Sequence, residues 1–153
     1  MEKPYRQNAA VIITDGQGRV LLCERVGGLP FVQTVQGGID DRETARAAAE
    51  RELGEEIGLR PEQFSIVAEC PMTSRYDFLP LQILNERMEA YRGQEQTFFL
   101  AQVDPNVQFV LDAHHEQEFK RVWWGTPEEF VREAWDLKRP GIEMALKAFG
   151  LLQ

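Results

Sequence analysis

Short apolar runs alternate along this chain with charged, alanine-rich stretches, and the spacing of the two predicts most of its elements. Ala9-Ala10-Val11-Ile12-Ile13-Thr14 is nearly unbroken apolar sequence and predicts a buried strand. Asp15-Gly16-Gln17-Gly18 follows as a turn, and Val20 to Cys23 returns apolar, which predicts a hairpin with a four-residue loop. Val32 to Val35 is a weaker strand candidate before Gly37-Gly38. From Glu43 to Ile57 alanines, Leu53 and many charges predict a helix, with Gly58 as its C-terminal stop and Pro61 barring an early continuation. Phe64 to Ala68 and Phe98 to Val103 predict further strands. Between them Met72 to Gly93 reads as a long irregular loop, of a length that often carries function. Thr126-Pro127-Glu128-Glu129 is a strong helix start, and a last helix is expected from Gly141 to Phe149. Strands flanking a central helix, with helices after the later strands, predict a mixed α/β or α+β domain. No internal repeat, low-complexity tract or dividing linker interrupts residues 1–153, so a single domain is expected.

Composition narrows the class. The chain has 153 residues, 43% of them hydrophobic and 27% charged, enough to build a core without staples. No apolar run reaches the length of a membrane span, and Met1-Glu2-Lys3-Pro4-Tyr5-Arg6-Gln7 lacks the apolar centre of a signal peptide, so a cytoplasmic protein with no membrane partner is expected. Two cysteines are too few for a disulfide framework; Cys23, ending the run Val20-Leu21-Leu22, reads as a buried reduced thiol. The net charge of −8 argues against holding duplex DNA by bulk attraction. A phosphate-bearing substrate would need a local reversal of sign, which metal ions provide.

The chemistry concentrates in the predicted first helix. At about 100° per residue, Glu52 and Glu56 lie about 40° apart, and Glu55 falls about 60° to the other side of Glu52. Three carboxylates therefore share one arc, while Ala49, Leu53 and Ile57 take the adjacent arc and should pack into the core. Ala45 and Ala48 precede the acids on their own arc and are expected to leave open space beside them. Like charges one turn apart cost an isolated helix a few tenths of a kcal/mol. Oxygen ligands gathered at that cost suit a hard divalent cation such as magnesium. Glutamates crowd helix surfaces generally, so this triad alone says little.

More positions are specified than the triad. Gly37, five residues, Glu43, seven residues, Arg51-Glu52, apolar Leu53, Gly54, Glu55-Glu56, Ile57, Gly58 and apolar Leu59 match the Nudix box at every place. Chance coincidence of the fixed positions is on the order of 10⁻⁹ per window. The chain thus resembles the Nudix hydrolases. The resemblance implies an α/β/α sandwich around a mixed sheet, with a loop–helix–loop that grips magnesium and a pyrophosphate. It makes Glu52, Glu55 and Glu56 metal ligands, assisted by a backbone carbonyl near Gly37 or Gly38. It makes Glu43 and Arg51 a pair that braces the motif, and Gly38 and Gly58 structural positions within it.

Flanking stretches resemble one subgroup, the bacterial RNA 5′-pyrophosphohydrolases and diadenosine polyphosphate hydrolases. They are Tyr5-Arg6-Gln7-Asn8, Gln36-Gly37-Gly38-Ile39, Gly93-Gln94-Glu95-Gln96-Thr97-Phe98-Phe99-Leu100, Glu118-Phe119 with Trp123-Trp124, and Leu137-Lys138-Arg139. This alignment makes Glu118 a further metal carboxylate from outside the helix, and Arg25 and Lys138 candidates to meet phosphate oxygens. Phe31, Trp123 and Trp124 could stack a base, although aromatics near a strand are more often core. Val32-Gln33-Thr34-Val35 departs from the subgroup's Trp-Gln-Phe-Pro, and Glu24, Lys120 and Arg121 differ from its usual types. His114-His115, being adjacent, would point apart and read as loop residues rather than joint ligands.

The expected activity is Mg²⁺-dependent hydrolysis of a phosphoanhydride in a nucleoside-diphosphate-linked substrate, with Mn²⁺ as the alternative ion. Dinucleoside polyphosphates and 5′-triphosphorylated RNA ends are the expected substrates, and Glu52, Glu55 or Glu118 the expected general base. The competing readings are a nucleoside-triphosphate pyrophosphatase for oxidised nucleotides or a pterin triphosphate, and a non-catalytic nucleotide-binding regulator.

Overall fold

A computed structural model of the chain describes residues 2–27, 31–80, 86–113 and 116–153; His114 and His115 lie outside them. The strands are β1 (Tyr5–Thr14), β2 (Val20–Arg25), β3 (Val32–Gln33), β4 (Val35–Gly38), β5 (Phe64–Asp77), β6 (Gly93–Val103) and β7 (Phe119–Gly125). The helices are α1 (Ala45–Ile57), α2 (Glu86–Glu89), α3 (Pro127–Glu133) and α4 (Arg139–Ala148), with a 3₁₀ turn at Pro61–Gln63. The strands form one mixed sheet in the order β3-β2-β1-β6-β5, with β4 paired to β1 and β7 to β2. Among the described strand pairs only β1 and β6 run parallel.

The expected sandwich is present. On one face Val11, Ile13, Leu21 and Phe99 pack against Ala49, Leu53 and Ile57 of α1. On the other, Ile12, Leu22 and Phe98 pack against Phe130 of α3 and Ile142 and Leu146 of α4. Burial on both faces explains why β1 reads as a continuous apolar run rather than an alternating one.

Three differences from the sequence pattern have physical causes. The hairpin β1–β2 pairs only at Thr14↔Val20, after which the strands part and β3 and β4 enter the gap, β3 against β2 and β4 against β1. The single weak strand expected at Val32 to Val35 is therefore two. β1, β5 and β6 also extend into polar sequence, because Tyr5–Asn8, Thr73–Asp77 and Gly93–Thr97 pair with one another through backbone bonds that ignore side-chain polarity. Met72 to Asp77 is strand, not loop. Ala48 is fully buried and Ala45 packs partly against the same core, so neither opens space beside the acids.

Helix α1 begins and ends as its sequence dictates. Thr44 caps it, its Oγ1 accepting the Ala47 amide at 3.0 Å. Glu43 stays outside, its carboxylate engaged elsewhere. Gly58 ends the helix at φ 70°, its amide donating to the Gly54 carbonyl at 3.1 Å, and the Val110 amide closes on the Ile57 carbonyl at 3.0 Å. A Cβ at Gly58 would meet Val110 Cβ at 2.7 Å. Gly58→Ala is expected to lower the unfolding free energy by at least about 1–2 kcal/mol from the left-handed backbone alone. Urea denaturation reads this directly, and an unshifted midpoint at unchanged slope would contradict it.

Candidate active site

The fork between β1 and β2 sets the place of the site. β4 runs beside β1, the chain turns through residues 39–44, and α1 returns beneath that turn. Arg51 ties the three parts together. Its Nε and Nη2 grip the Glu43 carboxylate at 2.8 and 2.9 Å, and Nη2 also donates to the Gly38 carbonyl at 3.0 Å. Its Nη1 donates to Glu52 Oε1 at 2.7 Å and to Glu55 Oε2 at 3.3 Å. Glu43 in turn accepts the Asp40 amide at 3.1 Å, which pins the loop to the helix start. The hydrogen bond from Arg51 holds the Glu43 carboxyl down at about 2, and the same contacts raise the Arg51 guanidinium.

Beside this knot lies a cavity of about 560 Å³, lined by Glu52, Glu55 and Glu56 of α1, by Gly37 and Gly38, and by Glu116 and Glu118 ahead of β7. Arg6, Asn8, Gln36 and Gln94 complete its wall. The three helix carboxylates and Glu118 expected from the sequence therefore face one space. Glycine at 37 lets the backbone approach this closely: a Cβ there would run into the Glu52 carboxylate as it stands. The Gly38 carbonyl is engaged by Arg51, which leaves Gly37 as the backbone candidate for a ligand.

Burial and crowding act on the acids together. Glu52 is 7% exposed, and its carboxyl is pushed up to about 7, by burial first and by the charges of Glu55 and Glu118, with Arg51 opposing. Glu56 accepts the Gln36 amide at 3.0 Å and is still pushed up to about 9, by burial first and by Glu52 and Glu118. Among the described residues no three His, Cys, Asp or Glu side chains stand close enough to enclose an ion as placed. The donor set nevertheless suits a hard divalent cation, being all oxygen and mostly carboxylate. Glu55 and Glu118, with side chains 38% and 35% exposed, are the less confined of these groups.

The two expected phosphate contacts are placed differently. Arg25 is exposed at the end of β2, its Nε 3.8 Å from Glu118 Oε1. Lys138 is 7% exposed and stands behind the wall, its Nζ donating to Gln33 Oε1 at 2.9 Å. Burial and the nearby Arg25 charge lower its ammonium to about 7. Trp123 and Trp124 lie on opposite core faces rather than in the cavity, and Phe31 packs near Trp135 at 6.4 Å between ring centres. Arg6, Asn8, Gln36 and Gln94 lie in the stretches that carry the subgroup resemblance but not among the residues it implies for the site, and nothing in the sequence marks Glu116. Their signal was polarity inside strands: Asn8 and Gln96 bond at 3.1 Å, Gln96 and Gln36 at 3.1 Å, Asn8 and Gln94 at 3.0 Å, and Gln94 and Tyr76 at 2.6 Å.

Comparison with known proteins bears on the family and the fold. The family profile described as NUDIX domain matches residues 4–144. A protein of Ruthia magnifica named RNA pyrophosphohydrolase is 37% identical over 145 residues, covering 94% of this chain and 80% of that one. The Escherichia coli dihydroneopterin triphosphate pyrophosphohydrolase superposes with a TM-score of 0.71 at 22% identity, over 92% of this chain and 96% of that one. A Caenorhabditis elegans Ap4A hydrolase superposes with a TM-score of 0.70 at 17% identity, over 95% and 98%. At such identities the two structures speak for the fold alone. The chain belongs to the Nudix family.

The raised carboxyls give stability a definite pH slope. Folded Glu52 and Glu56 keep protons that the unfolded chain releases near 4.5, so stability falls as pH climbs from about 5 towards 7. Above 7 the depressed Lys138 contributes with the opposite sign, so the lower window isolates the acids. Thermal melting in EDTA should give a lower Tm at about pH 7 than at about pH 5, and MgCl₂ should raise Tm more at the higher pH. Equal magnesium shifts at both values would sever the acids from metal binding.

Proposed function

We infer that the chain is a magnesium-dependent hydrolase of the 5′-polyphosphate end of RNA. The observation that carries this reading is the convergence of Glu52, Glu55, Glu56 and Glu118 on one cavity whose floor is backbone at Gly37. The RNA end is favoured because a relative named RNA pyrophosphohydrolase matches nearly the whole chain. All box carboxylates are retained, which favours turnover over a silent binding module.

Glu52, Glu55, Glu56 and Glu118, with the Gly37 carbonyl, would hold the ions. Bound there, Mg²⁺ (or Mn²⁺) supplies charge against the phosphate oxygens and acidifies a water. A water attacks phosphorus, the bridging P–O bond breaks, and the terminus leaves as a monophosphate with release of pyrophosphate. Glu52, Glu55 or Glu118 takes the proton of that water. Arg51 and Glu43 keep the loop and helix in fixed relation and so place Glu52 against Gly37. Arg25 at the rim meets phosphate oxygens, and Lys138 contributes positive potential from behind the wall.

Triphosphorylated RNA, dinucleoside polyphosphates and free nucleoside triphosphates, offered at equal concentration with products resolved by chromatography, test the substrate. RNA should turn over fastest; preference for free triphosphates would transfer the assignment to a nucleotide pyrophosphatase. Glu52→Gln should lower kcat by about 10²-fold or more with the melting temperature kept. Near-wild-type turnover by that variant at saturating Mg²⁺ would remove Glu52 from the chemistry.

A further inference from the structure

Strands β2 and β7 keep a plain antiparallel register from Val20↔Gly125 to Glu24↔Arg121, but the next pair is Arg25↔Phe119. One step along β2 is matched by two along β7, so Lys120 is the extra residue of a β-bulge. Side-chain directions show the effect. Val122, Trp124 and Phe119 all pack into the core on the α1 face, although Phe119 is three residues from Val122 and would face the other way in an unbroken strand. The bulge shifts the frame of everything ahead of it by one position. Without it Phe119 and Glu118 would exchange sides. The pairing continues past the bulge, with the Val26 amide donating to the Glu118 carbonyl at 3.0 Å.

The bulge has a specific fastening. Glu24 is buried, and its carboxylate takes Lys120 Nζ at 2.8 Å and Arg121 Nε at 2.5 Å. Consecutive residues of a regular strand cannot reach one carboxylate from the same side; those of a bulge can. Arg121 is held further over the Trp123 ring, 4.5 Å from its centre. The neighbour of Glu24, Arg25, stands 3.8 Å from Glu118 itself. We propose that Glu24 is a positioning residue: by clamping Lys120 and Arg121 to β2 it holds the bulge that aims Glu118 into the cavity. This rests on the role given above to Glu118.

Wild type, Glu24→Gln, Glu118→Gln and the double variant form a cycle. They are read by kcat and KM on the best substrate of the panel and, without substrate, by Mn²⁺ titration followed by electron paramagnetic resonance. Glu118→Gln should lower kcat by about tenfold or more and weaken Mn²⁺ binding. Glu24→Gln should lower kcat by about five- to tenfold with KM within about twofold, weaken Mn²⁺ binding, and add nothing in the Glu118→Gln background. Lys120→Gln with Arg121→Gln approaches the clamp from its solvent-facing side and should reproduce Glu24→Gln, with thermal melting as the control for folding. Wild-type turnover by both clamp variants, or a Glu24→Gln loss that multiplies with that of Glu118→Gln, overturns the clamp alone. Wild-type turnover and Mn²⁺ binding by Glu118→Gln overturns the role of Glu118 and the clamp with it.

Discussion

Crowding of carboxylates in a half-buried space is the constraint around which this molecule is arranged. Burial and mutual charge drive Glu52 and Glu56 towards protonation. Arg51 meets two of the acids directly, and it is spoken for on the other side by Glu43 and the Gly38 carbonyl. One guanidinium thus serves as both bolt and partial neutraliser. Removing it would leave the Glu43 carboxylate unpaired, the loop unfastened and the acids closer to pure repulsion.

The rest of the scaffold presents that arrangement. The parting of β1 and β2 lets β4 lie beside β1, so the backbone at Gly37 comes up against Glu52 on α1. The buried face of α1 fixes the rotation of the helix through Leu53 and Ile57, and rotation decides which acids look into the cavity. Core packing and site chemistry are in this sense one specification written on two arcs of the same helix.

The helix and its acids were legible because their requirements are local. A Thr cap, a Gly stop and a carboxylate arc are each set within a few residues. The same holds for the start of α3 at Thr126 and for the buried run of β1. What escaped was non-local. Polar residues such as Asn8, Gln94 and Gln96 fall outside the predicted strands, yet they are strand because distant polar partners satisfy them. β7 was hidden for a related reason: Lys120-Arg121 interrupts its apolar pattern where the bulge sits. Lys138 read as a surface or phosphate-facing cation, since only the tertiary fold could bury its ammonium against Gln33.

The row of side-chain amides from Gln36 through Gln96 and Asn8 to Gln94 has a consequence of its own. Asn and Gln neither gain nor lose protons over the range in which the opposing glutamates do. The amide row therefore keeps its charge state while the opposing acids titrate, and acidification can alter the charge of the cleft without loosening the row. An amide in such a row also cannot rotate alone, because turning one over would set acceptor against acceptor or donor against donor in the next, so the row is stiff as well.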